Sequence, residues 1–459
     1  MKVVICGAGQ VGYGIAERLS FEGNDVTVID SSEALIQRIR ETLDVRAFVG
    51  HGAHPDTLQK VDAGEADMLI AVTLYDEVNM VACQVAHSLF KVPTKIARIR
   101  AQNYLKPHWQ DLFSREHMPI DVIISPEVEV GEMLLRRLQV PGSDDTVLFA
   151  DGNVAVVGIQ CNENCPVVET PLRQLSELFP NLNTVVVGIV RGENLFVPRS
   201  DDSLLVGDVV YVAVERDQIR RALGIFGHEE TQANRVVISG GGNIGLYVAQ
   251  AIEANQTRAK VKIIESEKER AIAVADRLKR TVVLNGSALD ENLLIEADTG
   301  DADIMISLTN NDEVNVLSCV IAKKLGCTRT MALLNNPGYP GLTRTLGIDS
   351  HINPRQVTMS KILQYVRRGR IRAVHSVQSG KAEAIEAEAL ATSALVGRPL
   401  RELSLDDGIR IGAIYRDKQV IIPNGDTQIK AKDRVIIFAE AASVKKVEQM
   451  FRVSLDFFG

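Results

Sequence analysis

Gly7, Gly9 and Gly12 stand between a β-branched run, Val3 to Cys6, and a helical pattern in which Val11, Ile15 and Leu19 recur at intervals of four. Gly240, Gly242 and Gly245 repeat the spacing, followed by Ile244, Val248 and Ile252 at the same interval. This is phosphate chemistry: the first glycine permits a tight turn, the second lets a pyrophosphate approach the backbone, and the third brings helix and strand together. The helix starts at Gln10-Val11 and Asn243-Ile244 offer free N–H groups and a positive dipole end. Asp30 and Glu265 end the next strands, where a carboxylate accepts hydrogen bonds from ribose hydroxyls and repels a 2′-phosphate. An adenine nucleotide is therefore expected and NADPH is disfavoured. For Asp30 the alternative is an N-cap ahead of Ser31-Ser32-Glu33.

Further along each copy lie residues suited to the other side of such a site. In Ile96-Ala97-Arg98-Ile99-Arg100 the two-residue period of a strand puts both arginines on one face, as guanidinium forks for phosphate or as solvated strand-end residues. The corresponding Met331-Ala332-Leu333-Leu334-Asn335 has neither arginine, so the second copy is expected to distinguish ATP from ADP poorly. Thr73 and Thr309 end the fourth strands, as ligand contacts or with local backbone bonds. Asp76-Glu77 and Asp312-Glu313 begin helices, and capping is their expected role. His51 and His54, in the loop after the third strand, would either stack near an adenine or serve as polar loop residues.

The elements that position these residues are written twice. The segment at 3–30 returns at 236–265, and 71–90 returns at 307–326 with Asp76-Glu77-Val78-Asn79 matched by Asp312-Glu313-Val314-Asn315. Short apolar strands (Val3 to Cys6, Val26 to Ile29, Met68 to Val72, Lys95 to Ile99, Val122 to Ile124) alternate with helical patterns, which predicts an α/β fold with two Rossmann-like, doubly wound parallel-sheet lobes. Each lobe closes at an X-Pro step, Ser125-Pro126 or Asn353-Pro354, before a connecting helix. The stretches after the lobes also correspond, at an offset of 225: Gly188-Ile189-Val190-Arg191 with Ala413-Ile414-Tyr415-Arg416, and Asp208 with Asp433. Four domains are expected, N1 at 1–127, C1 at 140–227, N2 at 233–355 and C2 at 373–453, the C modules being small and α+β.

At 459 residues, with 46% hydrophobic and 24% charged residues, the chain has the composition of an ordinary soluble globular protein. Its longest apolar stretches fall well short of the roughly twenty residues that span a bilayer, and no secretory leader is expected at Met1. A net charge of −8 argues against nucleic acid as a partner. The run Arg367-Arg368-Gly369-Arg370-Ile371-Arg372 is the local exception, a solvated charge run or a binding patch. The six cysteines show no disulfide or zinc pattern. Cys161 and Cys165 are spaced either as core residues or as a thiol switch.

Together, the duplicated lobe, the glycine loop with its acid, the DEVN helix start and the small C module resemble the RCK/KTN proteins that regulate potassium conductance. The N1-C1-N2-C2 layout is similar to that of the peripheral nucleotide-binding subunits of bacterial Trk potassium-uptake systems. The resemblance implies a homotetramer, docked on the cytoplasmic face of a transmembrane potassium translocator, that binds NAD(H) and ATP or ADP in its N lobes. It implies a regulator without catalytic residues. The rival reading is an NAD-dependent oxidoreductase with a duplicated Rossmann domain, but neither C module carries Lys, His or Tyr in a recognisable catalytic pattern.

Overall fold

The structure, a computed structural model, describes residues 1–179, 183–336, 338–343, 345–366 and 371–451. In N1, short buried strands alternate with amphipathic helices: β1 (Lys2–Cys6), α1 (Gln10–Phe21), β2 (Asp25–Asp30), α2 (Glu33–Thr42), β3 (Arg46–Val49), α3 (Pro55–Lys60), β4 (Met68–Ala71), α4 (Asp76–Ser88), β5 (Thr94–Arg98), β6 (Val122–Ile124) and α5 (Pro126–Gln139). The sheet is parallel in the order β3-β2-β1-β4-β5-β6. Strand order reverses between β1 and β4, the switch point at which such sheets open a crevice at their C-terminal edge. Ile15 and Leu19 are fully buried and Val11 nearly so, as their spacing predicts.

C1 follows with β7 (Ser143–Phe149), β8 (Val154–Gln160), α6 (Leu172–Leu178), β9 (Thr184–Arg191), β10 (Asn194–Phe196), β11 (Val209–Glu215) and α7 (Ile219–Ile225). N2 repeats the first lobe in β12 (Arg235–Ser239), α8 (Asn243–Asn255), β13 (Lys260–Glu265), α9 (Lys268–Ala275), β14 (Val282–Asn285), α10 (Glu291–Glu296), β15 (Ile304–Ser307), α11 (Asp312–Leu325), β16 (Thr330–Leu333), α12 (Pro340–Thr343), β17 (Ser350–Ile352) and α13 (Pro354–Val366). Its sheet order, β14-β13-β12-β15-β16-β17, is that of N1. C2 comprises β18 (Ile371–Val377), β19 (Ala382–Glu388), β20 (Ile409–Arg416), β21 (Gln419–Ile421), β22 (Arg434–Glu440) and α14 (Val444–Met450).

Contacts gather the chain into two units, Met1–Met133 with Asn234–Leu363 and Leu134–Ala233 with Gln364–Gly459. In the first unit the two N lobes meet through glycines that accept a side chain of the other lobe. A Cβ added to Gly14 on α1 would lie 2.3 Å from Met359 Cε on α13, and one added to Gly131 on α5 would lie 2.3 Å from Tyr247 Cδ1 on α8. Gly14 and Tyr247 stand seven residues beyond Gly7 and Gly240, while Gly131 and Met359 stand five beyond Pro126 and Pro354. The duplication has thus exchanged bulky residue and glycine between equivalent positions. Tyr247 Oη also donates to Glu132 Oε1 at 2.5 Å, and Lys361 pairs with Glu129 at 3.4 Å.

The second unit holds two five-stranded antiparallel sheets of equivalent order, β10-β9-β11-β8-β7 and β21-β20-β22-β19-β18. They share a core that includes Val156, Val187, Tyr211, Ala384, Ala413 and Phe438, while each module keeps a second core of its own. Gly188 gives the Phe438 ring its room. Arg191–Asp208 at 2.8 Å and Arg416–Asp433 at 2.6 Å are copies of one ion pair, each around a carboxylate that is 1% exposed. His375 of C2 reaches Asp145 of C1 at 2.8 Å. Of the charge run, Arg367 to Arg370 lie outside the described residues, and Arg372 Nε pairs with Glu388 at 3.0 Å.

Candidate nucleotide-binding site

Each glycine loop has the division of labour that its spacing predicts. Gly7 adopts φ +113°, and a Cβ there would lie 2.9 Å from the Val72 carbonyl carbon. One at Gly12 would lie 1.8 Å from the Gly7 carbonyl oxygen, so only glycine lets α1 start this close to β1. Gly9 has nothing within 4 Å of an added Cβ, leaving its backbone open to the crevice. Gly240, Gly245 and Gly242 behave alike, with φ +100°, 2.1 Å to the Gly240 oxygen, and open space respectively. Gly9 and Gly242 are the N-caps of α1 and α8, with no side-chain cap bond and no acid in either first turn. The leading N–H groups at Gln10, Val11 and Gly12, and at Asn243, Ile244 and Gly245, precede the first helical bonds, Tyr13 N to Gly9 O and Leu246 N to Gly242 O. A pyrophosphate against these loops would meet backbone donors at a positive dipole end.

Asp30 lies beside the loop, and its carboxylate is fixed by the backbone. Oδ2 accepts from Ala8 N at 2.7 Å and Oδ1 from Ser32 N at 2.8 Å. The N-cap of α2 is Ser32, whose hydroxyl accepts from Leu35 N, so Asp30 is not the cap. Glu265 is held in the same manner by Gly241 N at 2.7 Å and Glu267 N at 2.9 Å. Both Asp30 oxygens and Glu265 Oε2 keep a second lone pair, which is what a ribose hydroxyl requires, while Glu265 Oε1 also accepts from Ser266 Oγ at 3.4 Å.

The far edge of the crevice is organised by two residues whose roles sequence reading missed. Asn79, fully buried on α4, accepts from Thr73 N at 2.9 Å and Thr73 Oγ1 at 2.7 Å, and donates to the Arg98 carbonyl at 2.9 Å. It ties the end of β4 to the end of β5, and Asn315 does the same for Thr309 and Leu333. Their recurrence in the two DEVN segments was the available signal. Capping was the expected role of Asp76 and Asp312, and the structure corrects it. Asp76 accepts from Arg100 N and Ala101 N, Asp312 from Asn335 N and Asn336 N, so both hold the loop after the next strand.

Arg98 and Arg100 stand at this edge in different states. Arg98 is half-buried, with Nη2 donating to the Thr73 carbonyl at 2.7 Å and Nε buried without a partner. Burial, and then the neighbouring Arg100, lower its pKa from the usual arginine value. Arg100 is more exposed and lies beyond the last residue of β5, where Nε donates to Glu127 Oε1 at 3.0 Å. Glu127, at the start of α5, is 5% exposed, and its other oxygen has no partner.

N2 lacks both arginines at the corresponding positions, as the sequence comparison has it, but other guanidinium groups stand at its edge. Asn335 does occupy the place of Arg100, and Leu333 that of Arg98. Yet Arg355, at the position of Glu127, donates Nη1 to the Asn335 carbonyl at 2.8 Å. Arg270 on α9, where N1 has Leu35, donates Nε to Gly241 O at 2.9 Å and Nη2 to Asn243 Oδ1 at 3.3 Å. Position-by-position comparison fails here because the charges come from other elements.

The remaining candidates fall elsewhere. His51 and His54 stack on each other, with ring centroids 4.3 Å apart. All six cysteines are free and buried. The hydrogen bond between Cys161 and Cys165 lowers the pKa of the Cys165 thiol against its burial and raises that of Cys161. Among the described residues, no group of three or more His, Cys, Asp or Glu side chains could hold a metal ion, and no helix is long and apolar enough to cross a membrane.

A parallel-sheet lobe and a small antiparallel module, repeated in tandem, is a fold this chain shares with the RCK domain of GsuK. The crystal structure of the GsuK RCK domain superposes with a TM-score of 0.60 at 16% identity, over 98% of this chain and 94% of that one. The GsuK channel bound to NAD does so with a TM-score of 0.60 at 17% identity, over 98% of this chain and 78% of that one. The TrkA-N domain model matches residues 3–126 and 236–354, and the TrkA-C domain model matches 156–227 and 384–452. Over 458 residues, covering 100% of both chains, the sequence is 58% identical to the Trk system potassium uptake protein TrkA of Azorhizobium caulinodans. The chain belongs to the TrkA family of Trk-system potassium uptake proteins.

Proposed function

We propose that this chain is the nucleotide-sensing regulatory subunit of a Trk-type transmembrane potassium translocator. It works as a homotetrameric ring on the inner face of the cell membrane and carries no catalytic residues. Both N lobes bind adenine nucleotides: NAD(H), by analogy with the GsuK channel bound to NAD, and ATP or ADP. In N1 the ribose rests on Asp30, the phosphates on Gly7, Gly9, Gln10, Val11 and Gly12, and the outer phosphate meets Arg98 and Arg100, with Thr73 beside it. In N2 the ribose rests on Glu265 and the phosphates on Gly240, Gly242, Asn243, Ile244 and Gly245, near Thr309.

The observation that carries this reading is a chain of contacts that runs from one crevice to the other. Arg100 is paired with Glu127 in the first turn of α5. One turn on, α5 presents Gly131 and Glu132 to Tyr247 of α8, the helix whose amino terminus is the N2 phosphate site. An outer phosphate that takes Arg100 from Glu127 removes a restraint on α5, and α5 bears on α8. The reverse path runs from Arg355 through α13 and Met359 to Gly14 on α1. Nucleotides that differ at the outer phosphate therefore have unequal affinities for different lobe arrangements, which is the requirement for shifting an equilibrium that a docked partner can feel. Calorimetric titration of the full chain with ATP, ADP and NADH tests the first step. Failure of all three to bind would refute the proposal.

A further inference from the structure

Arg270 and Arg355 are half-buried, and neither meets a carboxylate among the described residues; their hydrogen-bond partners are the carbonyls of Gly241 and Asn335 and the side-chain oxygen of Asn243. In N1, Arg98 likewise rests on a neutral carbonyl, that of Thr73, while Arg100 is paired with Glu127. A partly desolvated guanidinium bonded only to neutral oxygens keeps its full charge and its remaining N–H donors for an anion. The two groups also sit apart along the sheet edge. Arg270 lies on the glycine loop that follows β12, whereas Arg355 rests on the carbonyl just beyond β16, two strands away in the order β12-β15-β16. Adjacent strands are about 4.8 Å apart, so one ligand reaching both must extend roughly 10 Å along this edge.

We propose that Arg270 and Arg355 are the phosphate-binding residues of N2, and that its ligand is a nucleotide carrying at least a diphosphate unit, extended from Glu265 across the loop toward β16. Arg270 contacts the phosphates seated on the loop, and Arg355 contacts the anionic group beyond them. This rests on the reading of Glu265 and the second glycine loop as a nucleotide site. N2 then responds to phosphate charge through a guanidinium pair drawn from different elements than the pair in N1.

The test uses the full chain carrying Asp30→Ala, so that N2 dominates binding, titrated calorimetrically with ADP and with adenosine. Arg270→Gln and Arg355→Gln are each expected to weaken ADP about ten-fold or more, the size of one charge-assisted hydrogen bond, while adenosine changes less than about two-fold. Arg355→Lys, which keeps charge but loses the fork, should fall between. Equal losses for ADP and adenosine, or no loss for either, while Glu265→Ala still abolishes binding, would show that N2 is a nucleotide site and that the arginines do not read phosphate. No ADP or adenosine bound in the Asp30→Ala chain would remove the nucleotide reading of N2 and this proposal together.

Discussion

Asp30 has two tasks. It orders the glycine loop through Ala8 N and Ser32 N, and it offers its remaining lone pairs to the crevice. Asp30→Asn keeps one acceptor oxygen, so we expect a folded protein whose NADH and ATP affinities fall by about 1–2 kcal/mol, read by calorimetry. Unchanged affinities would remove Asp30 from the site. If Arg100 reads the outer phosphate as proposed, Glu127 competes with it; Glu127→Gln should then tighten ATP by up to about 1 kcal/mol, a small figure because Arg100 is largely exposed, and Arg100→Gln should weaken it. ATP should lose more than adenosine in the second variant. The glycine loops and their acids were legible in the sequence because turn, helix start and strand end lie within one short segment. Glu127, Asn79 and Arg355 were not, because each acts on a residue of another strand, and only the fold shows that Arg355 has taken over an edge where Asn335 replaces an arginine.

At the scale of elements, the sequence period predicted the strands and the buried faces of α1 and α8, yet it gave no sign that Gly14 and Gly131 receive Met359 and Tyr247. A glycine inside a helix records a close approach only when its neighbour is known. Gly131→Val should strain the α5–α8 contact and destabilise by about 1–3 kcal/mol, whereas Tyr247→Phe loses one hydrogen bond, about 0.5–1.5 kcal/mol. Tyr247→Ala should leave ATP binding to N1 intact while abolishing any effect of ADP in the Arg98→Gln/Arg100→Gln chain on lobe arrangement, measured by hydrogen exchange in α5. An undiminished effect would mean that the coupling bypasses this contact. In the second unit, burial alone would raise the Asp145 carboxyl, but the charge and hydrogen bond of His375, helped by Arg137 and Arg136, hold it down to about 2 against an ordinary 3.8. A depressed carboxylate stabilises the fold above pH 3.8, and that contribution is lost as pH falls toward 2. His375→Gln should therefore move the onset of acid unfolding to higher pH, followed by near-ultraviolet circular dichroism.

At the scale of the molecule, the two lobes of a chain carry unlike crevices: in N1 Arg98 rests on the Thr73 carbonyl and Arg100 on Glu127, whereas in N2 Arg270 and Arg355, from other elements, both rest on neutral oxygens. On the proposed function, this difference lets one lobe switch on the outer phosphate while the other is held by a different nucleotide. The proposed tetramer would present eight N lobes to one membrane partner; light scattering at micromolar concentration should return four chains. Nucleotide sensing is tested most directly by potassium flux into liposomes that carry the translocator, with and without this protein, as the ATP to ADP ratio is varied. Flux should change with that ratio when the chain is present, lose the response in the Arg98→Gln/Arg100→Gln variant, and be indifferent to nucleotide when the chain is absent. Flux that ignores the ratio in the presence of the wild-type chain would contradict nucleotide sensing as its role.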